Sequence, residues 1–222
     1  KVLYVEIDSA VYYNSSQVSN VNEVKGNVTS VLNTFSTSNI NKFGGRFKYS
    51  KLGQIIDGAD TSITSNITRV IIRRNMKVLL NQSAQYELCY GNSFKKNVSG
   101  FNIKSTGFTL ANQTGTLYFT DVPNATGNMG TLSVVRESTE NNDFTVIVKS
   151  AGIVDYEKGE IIVNTLNITS TDKPNNIIEI QAFPESNDVI GLKDLYLSFS
   201  VSDSTINMVK DTISSGEQIS GV

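Results

Sequence analysis

The chain contains no histidine and no tryptophan, a single cysteine and three prolines in 222 residues. The missing histidine is the most restrictive of these. It excludes Ser-His-Asp and Cys-His nucleophilic catalysis and every zinc site built on imidazole. One cysteine, Cys89, excludes an internal disulfide, a four-cysteine zinc site and an iron–sulfur cluster. A secreted β-rich module of this size often carries at least one cysteine pair, so the lone thiol favours an intracellular birthplace. Charge is scarce as well, at 18% of residues with a net of −2. Such a chain has no long-range positive field to gather nucleic acid, and no nucleic-acid partner is expected. No run approaches the ~20 apolar residues of a membrane span, so no membrane partner is expected either. The chain begins at Lys1 rather than Met, which reads as a fragment or a trimmed product. Carboxylate-pair hydrolysis, Ser-Lys chemistry and calcium binding stay open.

What fills the composition is Asn, Ser, Thr and Gly, residues of turns, short strands and uncharged polar surface. Residues 2–7 alternate as a first strand. Val18, Val21, Val24, Val28, Val31, Leu32 and Phe35 then recur at helical spacing, with Ser15 or Ser16 as the expected cap. Gly26 falls inside that helix, and its valines leave packing rather than propensity to hold it. A short helix is expected after Ser50, with Leu52, Ile55 and Ile56 inward and Gly58 at its end. Ile67 to Leu80 reads as a long β run carrying Arg69, Arg73, Arg74 and Lys77 on a solvent face.

From about residue 84 the pattern becomes Tyr86–Tyr90, Phe108–Leu110, Thr116–Phe119, Thr131–Val135, Phe144–Lys149, Glu160–Val163, Ile177–Ala182 and Leu195–Val201. Turn residues separate these segments about every ten positions, the mark of antiparallel β structure. The expected fold class is α+β, mostly β. A strand-helix-helix-strand α/β unit at 1–82 is followed by an antiparallel β domain at 83–222 with a polar C-terminal tail.

Candidate chemistry is thin. Ser138–Asp143 offers oxygens for calcium but lacks the Gly and terminal Glu of an EF-hand loop. Asp155, Glu157 and Glu160, or Glu185 and Asp188, could form a glycosidase pair; acidic residues in turns are the simpler account. Asn-x-Ser/Thr triplets start at Asn14, Asn27, Asn66, Asn81, Asn97, Asn112, Asn124 and Asn167, as chance dictates in so Asn-rich a chain. Lys42-Phe43-Gly44-Gly45-Arg46 lacks the phosphate-loop pattern, and its glycines point to a positive φ or a close backbone crossing. Cys89 reads as a buried or half-buried strand residue. No catalytic residue, metal ligand or cofactor is expected.

Three blocks carry a resemblance. The first is Asn39-Ile40-Asn41-Lys42-Phe43-Gly44-Gly45-Arg46-Phe47-Lys48-Tyr49-Ser50-Lys51-Leu52, continuing through Ile55-Ile56-Asp57, Ala59-Asp60 and Ser65-Asn66-Ile67-Thr68. The second is Asp155-Tyr156-Glu157-Lys158-Gly159-Glu160-Ile161. The third runs from Ala182-Phe183-Pro184-Glu185-Ser186-Asn187-Asp188 through Val189-Ile190-Gly191-Leu192-Lys193-Asp194. In order and spacing they resemble the C-terminal part of the large baseplate wedge proteins of T-even-type contractile-tailed bacteriophages, relatives of the baseplate J-like proteins. The resemblance implies a non-enzymatic subunit assembled in the host bacterial cytoplasm into the virion tail baseplate. Its partners would be a second copy of itself, as a homodimer or in ring contacts, and other wedge proteins. Those contacts would persist while the baseplate rearranges and the sheath contracts. The family's proteins are longer, so the resemblance also implies a missing N-terminal region.

The apolar run after the Pro184–Asp188 turn suggests an interface built from Val189, Ile190, Leu192, Leu195 and Tyr196, with ordinary core as the competing account. A carbohydrate-binding or adhesive β module is the main rival function, since nine tyrosines could supply stacking platforms. A glycosidase domain is the second rival.

Overall fold

The computed structural model describes residues 1–125, 127–138 and 143–213. The chain opens with β1 (Val2–Tyr13), a 3₁₀ turn at Ser15–Gln17 and α1 (Val21–Phe35), which runs into a π-helical turn at Ser36–Ile40. Two short strands, β2 (Lys42–Phe43) and β3 (Arg46–Phe47), precede α2 (Tyr49–Asp57) and the long β4 (Ile63–Lys77). Then follow β5 (Ser83–Cys89), β6 (Ile103–Ser105), β7 (Phe108–Leu110), β8 (Tyr118–Pro123), β9 (Met129–Glu137), β10 (Phe144–Asp155), β11 (Glu160–Thr171) and β12 (Ile177–Ala182). The last three are β13 (Val189–Ile190), β14 (Tyr196–Phe199) and β15 (Thr205–Lys210). The class is α+β, mostly β, with antiparallel sheets and two helices near the N-terminus, as the residue pattern predicts. Among the described residues, no helix is long and apolar enough to cross a membrane.

The chain divides into two compact units, but not at residue 82. The first takes Leu3–Ile71 together with Lys1 and the segment from Asn187 onward; the second takes Ile72–Ser186 together with Val2. The reason is long-range pairing. In the first unit the sheet order is β2-β14-β1-β4, and β15 also pairs with β1, in parallel, from Asp8↔Thr205 to Tyr13↔Lys210. The C-terminal strands therefore complete the N-terminal sheet instead of extending the later β domain. Asp211, in the polar C-terminal segment, donates its N–H to Tyr13 O at 2.9 Å and accepts from Thr64 Oγ1 at 2.6 Å. The rest of that tail, residues 214–222, lies outside the described residues.

The helix expected after Ser15 starts later. Asn14 caps the 3₁₀ turn, and Asn20 caps α1 by accepting from Asn22 N. Val24, Val28, Leu32 and Phe35 form its buried stripe. Phe35, Phe47 and Phe199 meet with ring centroids 5.4–6.5 Å apart. Together with Leu3, Val5, Leu52 and Ile56, all at most 0% exposed, these rings make the core of the first unit. At roughly 1.5–3 kcal/mol per fully buried large apolar side chain, this packing outweighs the poor helix propensity of the valines.

In the second unit one sheet has the order β5-β11-β10-β9-β8, with β7 also on β11, while β12 pairs with both β6 and the second half of β4. The Tyr156–Gly159 turn joins β10 to β11, with Asp155↔Glu160 closing the ladder. Gly159 sits at φ +67, where a Cβ would strike Asn92 O. Asparagine takes the left-handed region at Asn81, Asn112, Asn175 and Asn176. Turn and cap geometry, which Asn tolerates and stabilises, thus accounts for part of the asparagine in the composition.

One expectation about charge is corrected. Arg69 and Lys77 are exposed, but Arg73 and Arg74 are 3% and 6% exposed. Arg73 donates to Glu179 Oε1 at 2.7 Å and Asn75 Oδ1 at 2.7 Å, and Arg74 to Cys89 O at 2.8 Å. Their guanidinium groups satisfy carbonyl and carboxylate partners, which is what permits their burial. Cys89 itself is half-buried at the end of β5.

Candidate functional site

The carboxylates that could have formed an acid/base pair hold turns. Asp155 Oδ1 accepts from the N–H groups of Glu157 and Lys158, closing the β10–β11 turn. Glu157 Oε2 accepts from Asn128 Nδ2 at 2.8 Å. Asp188 Oδ1 accepts from Tyr49 N at 2.9 Å and its Oδ2 from Lys48 Nζ at 2.7 Å. Asp188 therefore caps α2 from a distant segment, taking the role expected of Ser50. Those two hydrogen bonds, the Lys48 one foremost, hold its carboxyl below the usual range. Among the described residues no three His, Cys, Asp or Glu side chains gather as a metal site. Thr139–Asn142, the centre of the possible calcium loop, lie outside the described residues.

Asp121, which sequence reasoning did not single out, is a buried carboxylate that organises a network. It is 1% exposed and accepts from Ile103 N at 2.7 Å, Asn102 Nδ2 at 2.7 Å and the Tyr156 hydroxyl. Burial and that bond to Asp121 push the Tyr156 phenol well above its ordinary range. Gly130 makes room for the ring, since a Cβ there would collide with the Tyr156 hydroxyl. The network ties β8, Asn102 and the start of β6, and the β10–β11 turn together.

The five suggested interface residues separate cleanly. Val189 and Leu195 are core, at 0% and 2% exposure, and Tyr196 is half-buried. Ile190 and Leu192 stay 47% and 38% exposed. The structure adds Phe43, 63% exposed, whose ring meets Tyr196 edge-on at 5.4 Å. Its signal in the sequence was a phenylalanine placed directly before a glycine pair, where a turn presents side chains outward. Backbone pairing assembles the group. Val189↔Phe47 and Ile190↔Arg46 form one short ladder, Tyr196↔Phe43 and Leu197↔Lys42 another, and Gly191 N donates to Gly45 O between them. Gly44 supplies φ +62, and a Cβ on Gly45 would collide with Ile40 O, so the glycine pair provides both the positive φ and the close crossing. These short ladders carry the exposed apolar residues Phe43 and Ile190, with Leu192 two positions on, as an apolar corner of the first unit beside an edge strand only two residues long.

Residues 1–75 match the family model of the baseplate structural protein gp6, C-terminal domain III. The match spans β1, α1, α2 and most of β4, and includes Phe43. It supports a structural role in a phage baseplate and a place in the virion tail. No curated protein matches the chain.

Proposed function

We propose that the chain is a non-enzymatic wedge subunit of a contractile-tail baseplate, akin to the baseplate J-like proteins. It works by holding inter-subunit contacts, to a second copy of itself and to other wedge proteins, while the baseplate changes shape before sheath contraction. The observation that carries this reading is the exposed corner of Phe43, Ile190 and Leu192, seated on the unit that contains most of the matched residues 1–75. Exposed apolar side chains grouped on a rigid ladder are what a subunit contact requires, and aromatic anchors dominate such contacts. Val189 and Leu195 support the corner from below, and Tyr196 orients Phe43.

The test is assembly. Ile190→Asp or Phe43→Asp, with an unchanged circular dichroism spectrum, should prevent incorporation into baseplate particles. A folded variant that assembles fully would refute the contact. A carbohydrate-binding module remains the second reading because of one feature of the second unit. A groove of about 510 Å³ there is lined by Phe101, Tyr118 and Phe144, aromatic surfaces on which a sugar ring could stack. Binding of cell-wall glycans in a plate assay, lost in Phe101→Ala, would favour it.

A further inference from the structure

Next to the apolar corner the first unit carries a cleft of about 330 Å³ whose rim is cationic. Lys42, Arg46, Lys48 and Lys51 line it, over a floor of Phe35 and Ile40. Phe35 and Ile40 are buried, whereas all four cations are exposed. Lys48 is held by Asp188 at 2.7 Å. Lys42, Arg46 and Lys51 have no carboxylate partner among the described residues. In a chain of net charge −2 with nineteen basic residues in all, four cations around one small concavity reverse the local sign.

The fold makes this arrangement. Lys42 and Arg46 flank the Gly44–Gly45 turn on β2 and β3, Lys48 is the N-cap residue of α2 and Lys51 lies on its first turn. That turn adds the positive end of the helix, where Asp188 accepts from the Tyr49 N–H.

We propose that this cleft docks an acidic segment of a neighbouring protein subunit, a proposal that rests on the structural-subunit reading above. Carboxylates of the segment pair with Lys42, Arg46 and Lys51, Arg46 offering a bidentate fork. An apolar side chain of the same segment reaches the Phe35–Ile40 floor. The small volume takes a few side chains rather than a duplex, and the net acidity of the whole chain repels long polyanions. Arg46 pairs with Ile190 across the β3–β13 ladder, so one cation of the cleft lies beside one apolar residue of the corner. Charge there sets partner choice and encounter rate, and the corner supplies the desolvated contact.

The test titrates the whole chain with synthetic hexaglutamate, inorganic phosphate and a short DNA duplex, followed by calorimetry and by NMR shifts. Hexaglutamate should bind at low ionic strength, weaken as salt rises, and shift Lys42, Arg46 and Lys51. The variant Lys42→Gln/Arg46→Gln/Lys51→Gln should bind it roughly tenfold more weakly or worse. Its fold, checked by circular dichroism, should be intact because all three side chains are exposed. Lys104→Gln, an exposed lysine of the second unit, should bind as the parent does. Absence of hexaglutamate binding, or unchanged binding by the triple variant, overturns the proposal. Duplex DNA or phosphate binding as tightly through the same residues overturns the acidic segment as occupant. The corner is judged separately, by particle assembly of Ile190→Asp, so failure of the cleft and failure of the subunit reading give different results.

Discussion

Replacing Asp121 with alanine tests how the second unit is held together. Asp121 is 1% exposed and Tyr156 3%, so water cannot easily replace what the carboxylate provides. The substitution strips the acceptor from Ile103 N–H and from the Tyr156 hydroxyl. Asn102 Nδ2 keeps a second acceptor, Asn97 O at 3.2 Å, and loses less. Each orphaned buried donor costs about 1–3 kcal/mol, so Asp121→Ala should destabilise the unit by about 3–5 kcal/mol. That is a large fraction of the roughly 5–15 kcal/mol typical of a domain. Tyr156→Phe removes one bond while leaving Asp121 with two donors, and should cost only about 1 kcal/mol. Urea unfolding followed by circular dichroism measures both, with the denaturant slope expected to hold constant. In the double variant the costs should fall short of additivity, because the two side chains share one bond. An Asp121→Ala protein within about 1 kcal/mol of the parent, or one no worse than Tyr156→Phe, would refute the reasoning.

Gly159→Ala places a Cβ at φ +67 against Asn92 O, and should lower the stability of the second unit by about 1–3 kcal/mol in the same urea assay. The first unit should lose stability in acid through Asp188. Its folded pKa lies below the ordinary value of a free aspartate, so its contribution is present above that ordinary value and is lost as pH falls through the lower, folded one. Asp188→Asn should therefore be less stable near neutrality and show a flatter decline in acid, read from thermal melts across pH. Light scattering of the chain alone at micromolar concentration should give a dimer or larger closed species if the apolar corner is self-complementary, and Ile190→Asp should return it to monomer. A strict monomer in both would assign the corner to a different subunit.

Much of the secondary structure was legible because its causes are local. The stripe Val24, Val28, Leu32 and Phe35 follows from helical spacing, and Phe108–Leu110 and Ile177–Ala182 appear as strands at the predicted bounds. The Tyr156–Gly159 turn and the Gly44–Gly45 crossing follow from what glycine alone permits. The elements that were missed, β2, β3, β6, β13 and β15, are two to six residues long. So short a strand has no periodicity to read and exists only through its partner.

By itself, then, the sequence determined the class of fold, the position of most strands and the exclusion of imidazole and cysteine chemistry, since composition and spacing are sufficient causes of each. Tertiary structure alone decided the rest. Pairing of β14 and β15 with β1 assigned the C-terminus to the first unit, and Glu179 and Cys89 O made the burial of Arg73 and Arg74 possible. Asp188 reached α2 from far along the chain to cap it. Among five adjacent apolar candidates, packing buried Val189 and Leu195 and left Ile190 and Leu192 outside beside Phe43. A hydrophobic residue has the same reason to be in a core as in a contact, removal of its surface from water, and only the folded chain shows which surface is already covered.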